Sequence, residues 1–275
     1  MHKRTKLWSS LSLAALVGGS ALGVAADAEL AAAVETGQSI ASGSEGEGSE
    51  GEGEGLAQNV DPATNDVAYL SQLGLMRGHL LVGLELYREG HIEHARMHMK
   101  HPKSELYADL VPAFEARGSA GFAEQLTALA TAVEADGSEP EAVESAYNAV
   151  LQGISAAEAR VGTLSPVARL QVAVKLIRTA GEEYGLGVVD GVVVNGHEYQ
   201  DAFGFTQTAR SLVANMDAGD NAELGETLAK VNGIIQGLFD ANAWPSVMPP
   251  ETVEADASLL YGAAARIEIA ALSLS

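Results

Sequence analysis

Histidine is the residue best able to do chemistry in this chain. There are 7 histidines, and His79, His91, His94, His98 and His101 all fall in one short stretch. Neutral imidazole is a common ligand of first-row transition metals. If residues 91–101 form one helix, a step of about 100° per residue puts His91, His94, His98 and His101 within an arc of about 80°. Their spacings of three, four and three are those of helix neighbours. Two imidazoles so placed can hold one ion together, as in helical zinc motifs.

Gly90 breaks the chain just before this stretch, so it folds back on the preceding helix. In an antiparallel hairpin turning there, positions whose numbers sum to about 180 face each other. His101 then faces His79, and His98 faces Val82-Gly83, where the glycine leaves room for a ring. Glu85 falls near Ala95. It stands in an apolar sequence, and a buried carboxylate needs a partner: a metal, Arg77 or a histidine. The candidate ligands are therefore His98 and His101 with His79 or His94, and Glu85 as an oxygen donor. Met76, Met97 and Met99 are soft donors that would favour copper, although methionine in a bundle more often fills core. The competing reading is a solvated polar face that happens to be rich in histidine.

A second cluster gathers Glu182, Glu183, Tyr184, Asp190, His197, Glu198, Tyr199 and Asp201. Glu198 and Asp201 share a helix face. Acids at a helix start are also favoured by its dipole. Glu198 is carried forward as a further oxygen donor. Spacing alone does not decide whether the two clusters make one site.

Composition narrows the chemistry. With 16 Lys+Arg against 37 Asp+Glu, the formal charge is −21. No basic surface exists for a nucleic acid backbone, whereas cations are welcome. The count of Cys is 0, which removes disulfides, thiolate ligands and cysteine nucleophiles. No GxSxG, HExxH or P-loop is present, so nothing marks an enzyme.

These residues must be positioned by helices. Ala, Leu and Val dominate the apolar content, while aromatics make up only 5%, a composition that suits helix over sheet. The spacing predicts an all-α bundle of about eight helices, near 64–89, 91–101, 104–117, 119–135, 139–159, 166–184, 197–215, 220–240 and 251–272, some of them short or split. Pro102 is expected to limit the second, since the residue before proline avoids the α region. Pro112 is expected to kink or split the third. Ser104 and Ser138 read as openings of their helices. Ser165-Pro166 is a strong start signal. Val188 to Gly196, punctuated by Asp-Gly and Asn-Gly, reads as an extended or hairpin connector. The 64–101 and 166–216 pairs share an outline, compatible with two helical-hairpin halves, although their residue-level match is weak.

Residues 1–26 read as a secretory signal: a basic start (Lys3, Arg4, Lys6), an apolar run, and small residues before Ala26 and Ala28. Residues 27–59 form a Gly/Ser/Glu-rich linker. Residues 60–275 carry the bundle. The expected location is periplasmic, without membrane insertion after cleavage.

The segment from Tyr184 to Ala202 resembles the exported helical region of bacterial high-affinity iron permeases. In both, a tyrosine-bearing helix end is followed by an Asp-Gly turn (Asp190-Gly191), a Val-rich stretch and a Glu-Tyr pair (Glu198-Tyr199). The closing Ala265-Arg266-Ile267-Glu268-Ile269 is similar too. The resemblance implies an all-helical periplasmic domain linked to iron, with Glu198 nearest to a functional position. A fainter likeness is to imelysin-type iron-uptake proteins, but their His-x-x-Glu motif is missing around His79.

The expected function is periplasmic metal binding in iron or copper acquisition, with iron ahead of copper or zinc as the ligand. The expected partner is a membrane permease or other periplasmic protein. The alternatives are a non-catalytic interaction protein with a solvated histidine stripe and an imelysin-like peptidase. If the signal is cleaved, N-terminal sequencing of the exported protein begins near Asp27 or Glu29; a start at Met1 on membrane-bound protein would refute cleavage.

Overall fold

The computed structural model describes residues 60–135 and 139–274. The signal and linker, residues 1–59, and the helix opening read at Ser138 lie outside the described residues. The chain builds α1 (Asp66–Arg88), α2 (Ile92–His101), a π-helical turn (Pro102–Leu106), α3 (Tyr107–Ala116), α4 (Ala123–Glu134) and α5 (Pro140–Glu158). It continues through α6 (Pro166–Gly187), a hairpin of β1 (Val188–Val189) and β2 (Val192–Val193), α7 (Gly196–Ala214), α8 (Ala222–Asp240) and α9 (Ala257–Leu272). Taking α2, the π turn and α3 as one continuous run, the described residues form 8 helices and almost no strand. The all-α expectation holds.

Caps fall where side chains can accept orphan backbone N–H groups. Asn65 accepts from the Ala68 amide, Ser165 from Ala168 and Asn221 from Leu224. Pro166 opens α6, where its missing N–H costs nothing. In the connector, Asp190 and Gly191 take positive φ (52° and 76°) and turn β1 back on β2. The segment after residue 250 is not yet helical. It lies along the hairpin, where Val193 donates its amide to the Glu251 carbonyl and Val253 donates to Gly191. The last helix therefore starts at Ala257 rather than near 251.

Two prolines behave otherwise than expected. α2 ends at His101, just before Pro102, but His101 itself stays in the α region at φ −50° and the chain does not leave the helical path. The ladder widens instead, with the Tyr107 amide reaching the Pro102 carbonyl in the π turn, so the helix absorbs the missing donor. Ser104 is not a cap; its hydroxyl donates back to the His101 carbonyl. Pro112 lies inside an unbroken α3 on the exposed side, where water can satisfy the freed carbonyl.

Apolar residues surround α1, and it runs through the middle of the molecule with Leu73, Leu75, Met76, Leu80, Val82 and Leu86 fully buried. It lies against α2, α5, α6 and α7. The closest approach is to α7. A Cβ on Gly204 would stand 2.5 Å from the Gly78 carbonyl oxygen, and one on Gly78 2.5 Å from Phe205 Cδ1. Only two hydrogens permit that crossing, and it brings position 79 against position 201. On the α2 side Gly83 admits a side chain too, but it is Met99, not a histidine ring: a Cβ there would meet Met99 Cγ at 2.7 Å.

Substituting Gly204→Ala destabilises the fold by about 1–3 kcal/mol, the cost of overpacking a filled contact. Gly233→Ala, in α8 with nothing within 4 Å of the new Cβ, stabilises by about 0.5–1 kcal/mol through helix propensity. Chemical denaturation of the two variants checks both signs.

Candidate metal centre

Three helices meet at a fully buried carboxylate. Asp201, on the inward face of α7, has a solvent exposure of 0%, as do His79 on α1 and His98 on α2. Asp201 Oδ1 lies 2.6 Å from His79 Nδ1 and 2.9 Å from His98 Nδ1. Its Oδ2 lies 3.2 Å from His197 Nδ1, one helical turn earlier on α7. His101 closes the group: its ring centroid is 5.9 Å from that of His79 and 4.3 Å from that of His197. The His98 and His197 rings stack at 4.1 Å with only 4° between their planes. Phe205 packs edge-on against His79 at 5.0 Å and helps close the inner wall.

Access is from one side. The side chains of His101 and His197 are 29% and 14% exposed. Beyond His101 a surface groove of about 600 Å³ is bordered by Glu93, Met97, Lys100, Glu105 and Glu134.

Ligand-type atoms fall into two sets of three, within 4.8 Å of one another in each: His79, His101 and Asp201, and His98, His197 and Asp201. Each set is two imidazoles and one carboxylate, a donor combination suited to ferrous iron and also accepted by zinc and copper.

The protonation pattern around His98 is fixed from outside. Gln200 donates its Nε2 to the Val247 carbonyl at 3.2 Å. Its Oε1 is thereby turned to His98 Nε2, 2.9 Å away, so that nitrogen must be the donor. In a neutral ring Nδ1 then carries a lone pair, and it points its lone pair into the region of Asp201 Oδ1. Neither Asp201 oxygen accepts a well-directed hydrogen bond, and His98 Nδ1 makes none. Facing the carboxylate at 2.9 Å, this nitrogen is matched to Asp201 by a cation: a proton on His98, which makes the ring an imidazolium, or a metal ion bound by both groups. The same face of α7 is held by Tyr199, whose hydroxyl donates to the Ser246 carbonyl, and by Trp244, whose indole N–H donates to the Tyr199 carbonyl.

Burial disfavours charge on the imidazoles. It pushes His98 below the usual histidine range, with Asp201 partly opposing. Burial, reinforced by the neighbouring imidazoles, pushes His101 down to about 3. At His197 burial is outweighed by the contact with Asp201, and its pKa is raised. Asp201 itself is held well below the usual carboxylate range, because attraction to His79 and His98 outweighs its own desolvation.

Of the residues singled out in the sequence, His79, His98 and His101 meet here. His94, half-buried on α2, is outside both sets. Glu85 lines a different groove with Leu81, Arg88 and Tyr147, and burial together with Glu89 raises its pKa. Glu198 sits beside His197 in the first turn of α7, accepts from Asn195 Nδ2 at 3.3 Å and adds negative potential to His197. Met76 and Met99 are buried core and Met97 is 42% exposed. The histidine stripe is not a solvated face, since His98 is fully buried. The two sequence clusters do form one site, through His197 and Asp201 rather than Glu198. Their separation of four residues, with both side chains on one helical face, was the available signal. Gln200 gave none, being indistinguishable in sequence from any polar helix residue.

Residues 162–270 match the family model of the iron permease-associated 4-helix bundle domain. This agrees with the resemblance drawn from Tyr184 to Ala202. The matched region holds α6 to α9, and thus His197, Gln200 and Asp201; α1 and α2, with the other three histidines, precede it. No curated protein and no solved structure matches the chain. No helix among the described residues is long and apolar enough to cross a membrane.

Nitrogen-edge NMR correlations should show His98 as the Nε2–H tautomer. Gln200→Leu should give mixed tautomers, while Gln200→Glu, which keeps an acceptor, preserves the single form. In the same spectra the His101 ring signals stay flat from pH 8 to pH 5, because its pKa lies near 3.

Proposed function

We propose that this chain is an exported iron-binding protein that holds its ion at the His79, His98, His101, His197 and Asp201 centre. The observation that carries the reading is the buried Asp201 carboxylate set against the fixed lone pair of His98. A buried carboxylate needs partners; the imidazoles of His79, His98 and His197 stand against this one, and a metal ion would bind both kinds of group. The family match to an iron permease-associated domain favours iron over copper or zinc. The role is binding rather than catalysis. The secretory signal read in residues 1–26 supports a periplasmic location, and the iron-permease link supports delivery to a membrane permease. Glu198, next to His197, and Glu105, 3.5 Å from His101, add negative potential at the opening, whereas Glu93 and Glu134 at the groove are paired with Arg96 and Lys100.

The chain's own residues would act in a set order. The rim imidazoles of His101 and His197 meet an incoming ion first. The buried His79, His98 and Asp201 then replace its water. Gln200 keeps the His98 lone pair available throughout.

Anaerobic titration calorimetry with Fe(II), Zn(II) and Cu(II) tests the reading. Wild-type protein binds saturably; Asp201→Asn and the double variant His98→Ala/His101→Ala lose at least about tenfold to a hundredfold in affinity, with the helical circular dichroism retained. Binding weakens as pH falls through the raised His197 pKa, by about tenfold per unit for one displaced proton. His101 does not compete over that range. Identical isotherms for wild type and both variants would remove this centre from the function.

A further inference from the structure

We infer that the centre holds two metal ions, one in each ligand set, bridged by Asp201. The inference rests on the metal-binding reading above and deepens it.

The ligands divide evenly around the carboxylate. His79 and His101 stand with Asp201 in one set, His98 and His197 with Asp201 in the other. Each set pairs one imidazole sealed from solvent, His79 or His98, with one at the rim, His101 or His197. Each therefore has its own inner anchor and its own opening. The two Asp201 oxygens are not equivalent: Oδ1 faces His79 and His98, and Oδ2 faces His197. A carboxylate with both oxygens engaged is the ordinary bridge between two first-row ions.

The spacing of the donors points the same way. Among the described residues the ligand atoms that lie within 4.8 Å of one another make two groups of three, and neither group gathers all four imidazoles. Split in two, the donors leave each ion three protein donors and open positions for water or a delivered ligand, as in sites that exchange what they bind. The stacked pair fits this division. With ring planes 4° apart, His98 and His197 lie side by side, His98 against Oδ1 and His197 against Oδ2 of Asp201, whereas His101 is turned to His79 at 64°. The ions taken up would be divalent and of first-row size, with ferrous iron the physiological candidate and zinc a redox-silent probe.

The test counts metal. The full chain is saturated anaerobically with Fe(II), and separately with Zn(II), freed of excess metal, and analysed for ions per chain and by X-ray absorption. Two ions per chain with a metal–metal distance of about 3.5–4 Å is the expected result. His101→Ala and His197→Ala each retain one ion and lose the metal–metal signal. Both residues lie at the rim, and circular dichroism verifies that the variants stay folded. One ion in the wild type, without a metal–metal signal, overturns the two-ion centre and leaves the single-ion reading standing. No bound ion in the wild type overturns both. Because the decisive count is made on wild-type protein, a variant that fails to fold does not affect it.

Discussion

The structure turns on the burial of one charge. Asp201 is held ionised with no access to water, and a carboxylate in that position is tolerated only when partners surround it. Its partners come from three helices, so the helices must approach closely enough to deliver them. Gly78 and Gly204 allow α1 and α7 to touch backbone to backbone, and His79 is the next residue after that contact. The turn at Gly90 brings α2 back so that His98 and His101 reach the same point. Behind α7, the link that follows α8 secures Tyr199 and Gln200 through the Ser246 and Val247 carbonyls and the Trp244 indole. Removing any of these supports would leave the carboxylate with fewer partners in a medium that penalises it.

Much of this was legible from residue types and spacing. Helix periodicity, Ser165-Pro166 and the Asp-Gly turn are local signals, and local signals survive folding. The facing of His101 and His79 followed from hairpin geometry alone. What stayed hidden depended on packing between distant segments. The π turn at Pro102 is a way of continuing a helix that a proline rule does not anticipate. Met99, rather than His98, occupies the space at Gly83, because α2 is rotated from the simple numbering estimate. Asp201 and Glu198 are both acids on the first turns of one helix; only the position of α1 and α2 decides which one is enclosed.

The family match covers α6 to α9 and stops short of the hairpin that supplies three of the five candidate ligands. The centre thus straddles a boundary. The matched part contributes the carboxylate and one imidazole, and the preceding helices complete the set. A domain of the matched kind that lacked an α1–α2 hairpin would present His197 and Asp201 on an uncovered helix face. Coordination strength is then a property of the combination, not of the 4-helix unit by itself.

The contact between His98 and Gln200 joins positions 102 apart in the chain, and the chain has 0 cysteines. A disulfide is one way to fasten such a long loop. Among the described residues, the side chains that tie α1–α2 to α7 include titratable ones, His79 and His98 against Asp201, beside the His98–Gln200 contact. Loop closure over that length is entropically expensive for the unfolded chain. If the centre holds a metal as proposed, the fastening that offsets this cost is reversible, tightened by the cation and loosened by protons or a chelator. Cargo and cross-link would then be the same object, and the protein's mechanical integrity would report its load.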